Sequence, residues 1–310
     1  MTASSGTNVG IIGAGLMGHG IALVMARAGH SINICDPDEQ SRTSLHQRVT
    51  DSLIGMGVDA SLTPEIVERI TVHPDIATTV GKANFVFEAA PEKLALKQQL
   101  FAEAEQYAPA DCILASNTSV IQIGLIMEGL QTRHRALGTH WWNPPHMIPL
   151  VEVIKTEWTD DSAMDAMMEL LGEADKTPVR VEKDVPGFIG NRLQHALWRE
   201  AISLVENGIC DAKSVDTVIK ASFGRRLAVL GPLENADLVG TDLTLDIHEN
   251  VLFDLESRKG PSPYLQKLVE DGRLGMKSGE GFRTWTDEEA DQLRAKIPTY
   301  LANVSELLKK

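Results

Sequence analysis

The chain is poor in several things, and each absence narrows what it can be. It has only three cysteines (Cys35, Cys112 and Cys210), odd in number and far apart, with no C-x-x-C pair. That excludes a disulfide framework and reads as reduced thiols in a cytoplasmic protein. Basic charge is scarce: 29 Lys and Arg stand against 43 Asp and Glu, a formal net charge of −14 over 310 residues. Such a surface argues against nucleic acid and anionic membranes as partners. No uninterrupted apolar run approaches membrane-spanning length. The opening Met1-Thr2-Ala3-Ser4-Ser5-Gly6-Thr7 has neither the basic region nor the apolar stretch of a signal peptide. The histidines form no H-x-x-x-H or His/Cys cluster, so no metal site is expected. Internal repeats and low-complexity segments are absent from the sequence.

Against this background one feature stands out. Ile11-Ile12-Gly13-Ala14-Gly15-Leu16-Met17-Gly18 is G-x-G-x-x-G at the junction of an apolar run and a helical pattern, and Asp36 ends a second apolar run 18 residues after Gly18. Gly13 permits the tight turn out of a strand, Gly15 lets backbone N–H groups approach a pyrophosphate, and Gly18 lets the helix pack close to the sheet. With Leu16 and Met17 these glycines form the expected phosphate site, facing the positive end of the helix dipole. Asp36 can accept hydrogen bonds from a ribose diol and repels a 2′-phosphate, which favours NAD over NADP. The same fingerprint also serves FAD sites.

At 310 residues the chain suits two domains. Short apolar runs at 8–13, 31–36, 84–89, 112–116, 134–139, 149–154 and 178–182 read as strands. They alternate with helical patterns at 38–55, 64–70, 95–107 and 160–174, which implies an α/β Rossmann-type domain with a mostly parallel sheet. In the first helix Met17, Ile21, Val24 and Ala28 make an inward stripe. Near Glu182-Lys183-Asp184 the character changes and strand-like runs disappear. A long helix follows, with Ile189, Leu193, Leu197, Ala201 and Leu204 on one face, then helices around 211–222, 233–255 and 262–271. A terminal helix opens with the capping-box pattern Thr286-Asp287-Glu288-Glu289. The expected division is therefore 1–184, dinucleotide-binding, and 185–310, all-α.

Dehydrogenation of an alcohol requires a base to take the hydroxyl proton, a group to hold that base, and donors near the developing carbonyl. The most base-like histidine is His140, at the end of an expected strand, where open α/β sheets place their ligands. Glu152, 12 residues on, interrupts the apolar run Leu150-Val151-Glu152-Val153-Ile154. A buried carboxylate must be paired. Paired with His140 it would fix the imidazole tautomer and stabilise the imidazolium. Spacing alone leaves open a structural histidine and a solvent-facing glutamate.

The ordered set of motifs resembles the 3-hydroxyacyl-CoA dehydrogenase family. It comprises the glycines and Asp36, Pro91-Glu92, Leu96-Lys97, Ser116-Asn117-Thr118-Ser119, His140-Trp141-Trp142-Asn143-Pro144, Leu150 to Ile154, and Pro186-Gly187-Phe188-Ile189-Gly190-Asn191-Arg192. The match runs from residue 8 to Gly279-Glu280-Gly281-Phe282. The resemblance implies a Rossmann-type domain joined to an all-α domain that makes a homodimer. It implies NAD as cofactor, His140 as general base, Glu152 as its partner, and Ser119 and Asn191 as the groups that hold the substrate oxygen. It further implies Glu92, Lys97 and Asn143 as cofactor contacts near the nicotinamide ribose.

The chain departs from the CoA-using pattern in three places. Residues 49–68, where such members are rich in lysine, hold no lysine or arginine and four acids (Asp51, Asp59, Glu65, Glu68). Pro149 stands where a lysine usually precedes Leu-Val-Glu. The segment Ser222-Phe223-Gly224-Arg225-Arg226-Leu227-Ala228-Val229-Leu230-Gly231-Pro232 is longer than in CoA-using members. It is similar to relatives that act on small free acids: L-gulonate 3-dehydrogenase with the lambda-crystallins, L-carnitine dehydrogenase, and a pyridoxine-degradation dehydrogenase. Arg226 could clamp a substrate carboxylate, or cap a helix or sit in solvent. The expectation is a dehydrogenase of a small carboxylate substrate. The alternatives are a true 3-hydroxyacyl-CoA dehydrogenase, for which a basic patch of Arg42, Arg48 and Arg69 would speak, and a crystallin-like NAD-binding structural protein.

Overall fold

The strand β1 (Asn8–Ile12) leads through Gly13 into the helix α1 (Leu16–Arg27), the strand–turn–helix that the glycines require. The computed structural model describes residues 6–308; residues 1–5, within the segment read above as lacking a signal peptide, and 309–310 lie outside the described residues. After α1 come β2 (Ser31–Cys35), α2 (Glu39–Thr43), α3 (Leu45–Gly55), α4 (Thr63–Glu68), β3 (Ile70–His73), α5 (Ile76–Val80) and β4 (Phe85–Glu88). They are followed by α6 (Leu94–Tyr107), β5 (Ile113–Ser116), α7 (Ile123–Met127), β6 (Ala136–Trp141), β7 (Leu150–Ile154), α8 (Asp161–Glu173) and β8 (Thr177–Val181).

The strands form one sheet of eight in the order β3-β2-β1-β4-β5-β6-β7-β8. Every pairing is parallel except β6 with β7. The first six follow the doubly wound dinucleotide-binding order, whose reversal beside β1 opens a crevice at the carboxyl ends of the strands. One apolar layer packs Ile21, Leu45, Leu53, Ile66 and Met164 against one face; the other packs Ile76, Val80, Phe101 and Ile123 against the opposite face. This is why the strands are apolar on both sides. α1 lies between sheet and helices, so its residues Gly18 to Ala26 are all buried, more than the stripe expected from its periodicity.

Several elements differ from the sequence reading. The expected helix over 64–70 stops short of Ile70, which with the unassigned 71–73 makes the edge strand β3, held by parallel pairing of Ile70 to His73 with Ile32 to Cys35. The helix expected over 38–55 divides at Ser44, where the hydroxyls of Thr43 and Ser44 turn back on Glu39 and Gln40 carbonyls. β6 starts at Ala136, after a 3-10 turn at Arg133–Arg135, so His140 is the penultimate strand residue. The short helices α5 and α7 were not expected.

The chain divides into two compact units between Arg192 and Leu193. The second contains most of α9 (Gly190–Glu206), then α10 (Ala212–Ala221), α11 (Pro232–Val239), α12 (Thr241–Val251), α13 (Pro263–Glu270) and α14 (Asp287–Leu308). The helix expected over 233–255 is broken into α11 and α12 by Gly240, at φ 101°. Among the described residues of this unit only Ser203, Leu268, Gly281 and Ala290 are buried. Leu193 and Leu197, on the expected apolar face of α9, are exposed, as are Leu233, Leu238, Leu245 and Phe253.

Candidate active site

The dinucleotide loop is built from backbone clearances. A Cβ on Gly18 would lie 1.8 Å from the Gly13 carbonyl oxygen, and one on Gly13, already at φ 106°, 2.8 Å from that of Ala89. Gly15 has nothing within 4 Å of its own Cβ position, so its face is open. Asp36, at the end of β2, accepts the Ala14 N–H through Oδ2 (2.7 Å) and the Asp38 N–H through Oδ1 (2.9 Å). An open glycine at the N-terminus of α1, with a carboxylate tied beside it, fits the pyrophosphate and ribose of NAD.

The three arginines that a basic patch would need, Arg42, Arg48 and Arg69, are already engaged. Arg48 donates to the carbonyls of Ala14 (2.7 Å) and Ser41 (2.8 Å), and Arg42 to those of Asp36 (2.7 Å) and Pro37 (2.9 Å). Arg69 pairs with Glu65 (2.6 Å) and donates to the Ala26 carbonyl.

Antiparallel pairing of β6 with β7 sets His140 directly opposite Glu152. Both are buried, and His140 Nδ1 lies 2.7 Å from Glu152 Oε2. The other carboxylate oxygen accepts the N–H groups of Ile189 (2.8 Å) and Gly190 (3.0 Å), at the start of α9. Burial raises the Glu152 carboxyl pKa, but the bonds from His140, Gly190 and Ile189 outweigh it and hold the group below its ordinary value. An ionised carboxylate only accepts, so Nδ1 carries the proton and Nε2 is left as a base. The imidazole is held between the rings of Trp142 (5.2 Å) and Phe188 (5.5 Å). Gly187 and Phe188 are both left-handed, at φ 76° and 50°, and this turn carries Phe188 back against His140.

His140 opens on a cleft of about 340 Å³ lined by Met17, Glu92, Ser119, Trp142, Asn143 and Asn191, among others. The structure thus brings together most of the residues singled out in the sequence. Asn191 Nδ2 donates to the Ser119 carbonyl (2.9 Å). Glu92 Oε1 accepts from Thr118 Oγ1 (2.5 Å) and from the N–H groups of Ser119 (2.9 Å) and Val120 (3.2 Å). Burial works against the Glu92 charge, but these donors and Lys97 lower its pKa overall.

Lys97 is placed differently from Glu92. It is fully buried, donates to Glu88 (2.7 Å) and the Ala90 carbonyl (3.2 Å), and pairs with Glu92 at 3.5 Å. It therefore supports Glu92 from beneath. Glu88 was missed by sequence reasoning; it also accepts from Ser116 Oγ (2.6 Å) and the Ala90 N–H (2.7 Å). The signal that picked out Glu152, a carboxylate in an apolar strand, is present there too. Asn117, also missed, lines the cleft and accepts the Trp141 N–H (3.0 Å). Leu16 is exposed at the start of α1. Arg226 lies in the helical unit, exposed, directly after a 3-10 turn at Phe223–Arg225. A larger groove of about 1140 Å³ runs past α7 and the segments after β7 and β8, and includes neither His140 nor Glu152. Among the described residues no His, Cys, Asp and Glu cluster suits a metal ion, and no helix is long and apolar enough to cross a membrane.

Comparison with known proteins gives the family. Residues 8–185 match the NAD-binding domain of 3-hydroxyacyl-CoA dehydrogenase, and residues 187–285 match its C-terminal domain. The chain belongs to the 3-hydroxyacyl-CoA dehydrogenase family. Within it, the chain is 33% identical over 307 residues to 5-formyl-3-hydroxy-2-methylpyridine 4-carboxylate 5-dehydrogenase of Mesorhizobium japonicum, covering 97% of this chain and 98% of that one. A crystal structure of a 5-dehydrogenase of that pyridine carboxylic acid, described as an NAD+-dependent dismutase, superposes with a TM-score of 0.90 at 31% identity, covering 98% and 99% of the two chains. The (S)-3-hydroxybutyryl-CoA dehydrogenase PaaH1 of Ralstonia eutropha superposes with a TM-score of 0.76 at 29% identity, covering 91% of this chain and all (100%) of its own. Like its relatives, this family member is an NAD-dependent oxidoreductase that acts on hydroxyl groups.

Proposed function

We propose that this dehydrogenase oxidises a small free hydroxy acid, with the alcohol β to the carboxylate, rather than a CoA thioester. His140 Nε2 takes the hydroxyl proton. Glu152 holds the ring and stabilises the imidazolium that forms. Ser119 and Asn191 bind the reacting oxygen, and Asn143 and Glu92 face the cofactor side of the cleft. When bound, NAD would supply the hydride acceptor for the alcohol carbon. Gly13, Gly15, Leu16, Met17 and Gly18 hold its pyrophosphate, and Asp36 its ribose.

The observation that carries the choice of substrate is the engagement of Arg42, Arg48 and Arg69. Each is spent on backbone carbonyls or Glu65. A CoA phosphate would need such cations free. The higher TM-score with the pyridine-carboxylate enzyme than with the CoA enzyme, 0.90 against 0.76, supports the same choice. Arg226 is the residue we assign to the substrate carboxylate. The intact His140–Glu152 pair speaks against a purely structural, crystallin-like role.

We further infer a homodimer in the cytoplasm. The helical unit has almost no buried side chains of its own and many exposed large apolar ones, a surface suited to twofold pairing. The three cysteines of the chain are free, as in a reducing compartment.

The test is a panel of initial rates with 3-hydroxybutyrate, carnitine and gulonate against 3-hydroxybutyryl-CoA. A free acid should be turned over with the higher kcat/KM, and Arg226→Ala should raise its KM. A preference of about a hundredfold for the thioester would overturn the proposal.

A further inference from the structure

The segment 142–149 joins β6 to β7 and carries Asn143 to the cleft, three residues after His140. Its own bonds, from the Met147 and Ile148 N–H groups to the Pro144 carbonyl (both 3.0 Å), make a turn, and neighbouring elements anchor that turn to the domain. Pro145 sits in a notch in α1: a Cβ on Gly20 would lie 2.4 Å from Pro145 Cγ. Beside it His146 faces His19, with ring centroids 6.1 Å apart. A second anchor is Lys176, in the turn between α8 and β8. Its Nζ donates to the carbonyl of Pro145 and to that of Ile148 (3.0 Å), and lies 5.3 Å from the centre of the Trp141 ring.

We propose that Lys176 is a positioning residue for cofactor binding: its ammonium clamps the Pro145 and Ile148 carbonyls and so sets Asn143 at the nicotinamide side of the cleft. Lys176 bonds the connection at two points, the Pro145 and Ile148 carbonyls. The residue does not line the cleft and acts through the backbone. A charged donor on two carbonyls is a strong fastener.

The charge on that ammonium is itself poised. Burial lowers its pKa to about 8; Asp175 beside it opposes the shift, and Arg27 at the end of α1 adds to it. His146 is the other titratable group facing it. A neutral amine still donates, but more weakly, so the clamp should loosen as pH rises past about 8.

The inference rests on the assignment of Asn143 to the cofactor side and is independent of the substrate. The experiment is therefore fluorescence titration of NADH without substrate, on wild type, Lys176→Met, Lys176→Arg, Asn143→Ala and the Lys176→Met/Asn143→Ala double variant. Lys176→Met should weaken NADH binding by about tenfold, Lys176→Arg should recover much of it, and Lys176→Met should add little once Asn143 is gone. Wild-type affinity should fall as pH passes about 8, and Lys176→Arg should flatten that fall. Binding by Lys176→Met within about twofold of wild type, or full additivity with Asn143→Ala, overturns the proposal. If Lys176→Met does not fold, the pH series decides alone: equal loss in wild type and Lys176→Arg overturns it.

Discussion

His140 and Glu152 face each other across the antiparallel pairing of β6 with β7, with 2.7 Å between Nδ1 and Oε2. Sheet register makes this contact, and Ile189 with Gly190, at the entry to α9, complete it by donating two backbone N–H groups to the far carboxylate oxygen. One carboxylate therefore joins a strand, a helix start and the base. Orientation and charge are fixed before substrate arrives, which is what preorganisation requires.

The first prediction concerns this pair. His140→Ala should lower kcat by about 10³-fold or more while leaving NADH affinity nearly unchanged, since the dinucleotide loop lies elsewhere. Glu152→Gln should cost on the order of 10²- to 10⁴-fold, because an amide can donate to Nδ1 and so favour the wrong tautomer. Steady-state kinetics beside NADH titration separates the two effects. A His140→Ala enzyme with near-normal kcat would remove His140 from the chemistry.

How much of this could be read from the chain alone follows from the range of each interaction. The Gly13 to Asp36 fingerprint is local, and β1, α1 and β2 came out within a residue or two of their positions. The strand β3 did not, because Ile70 to His73 is an edge strand that exists only through its pairing with β2. Residues in α5 and α7 form single short helices, too brief for a periodic signal. Glu152 was legible as a carboxylate in an apolar strand, yet its Ile189 and Gly190 donors were not, since they depend on the turn at Gly187 and Phe188. Lys97 was read as a cofactor contact, and its ammonium is buried against Glu88 and Glu92, because a sequence does not reveal which carboxylates a lysine will reach.

Asp36 should decide the cofactor. Its carboxylate repels a 2′-phosphate, and Arg42 already lies against its backbone carbonyl (2.7 Å). In Asp36→Ala the repulsion disappears, while Arg42 keeps its bonds to the backbone carbonyls of residues 36 and 37. Kd for NADH should rise about tenfold and the preference for NADH over NADPH should shrink by at least that factor. Binding titrations with both dinucleotides check this. Unchanged discrimination would place the ribose away from Asp36.

Gly190 is a packing position with a catalytic consequence. A Cβ there would lie 2.4 Å from Trp142 Cζ2, and Trp142 flanks the His140 ring. Gly190→Ala must push the indole into the imidazole or shift the start of α9. We expect a loss of about 1–3 kcal/mol in stability, as for overpacked cores. The variant should also show a fall in kcat larger than any change in NADH affinity. Urea denaturation with steady-state rates tests both; unchanged kcat would mean that Trp142 can move without disturbing the base.

The stability of the molecule should depend on pH through His146. Burial, reinforced by His19 and Lys176 nearby, lowers its pKa from 6.5 to about 4. The folded state therefore holds this ring neutral where the unfolded chain would already have taken up a proton. Between pH 6.5 and about 4 the unfolded state binds more protons, so stability falls as pH falls through this window. Below it both states are protonated and the contribution is flat. Partial exposure of the ring reduces the effect to about 2 kcal/mol. His19, also depressed by burial and by Arg48, acts in the same direction. Glu152 weakens the fold in acid too, but its folded pKa lies below the ordinary value of 4.5, so its loss comes at the lower end. Urea denaturation across the window isolates the histidine by difference: His146→Gln should lose less stability on acidification than wild type. Parallel losses in the two proteins would show that the His146 ring does not resist protonation.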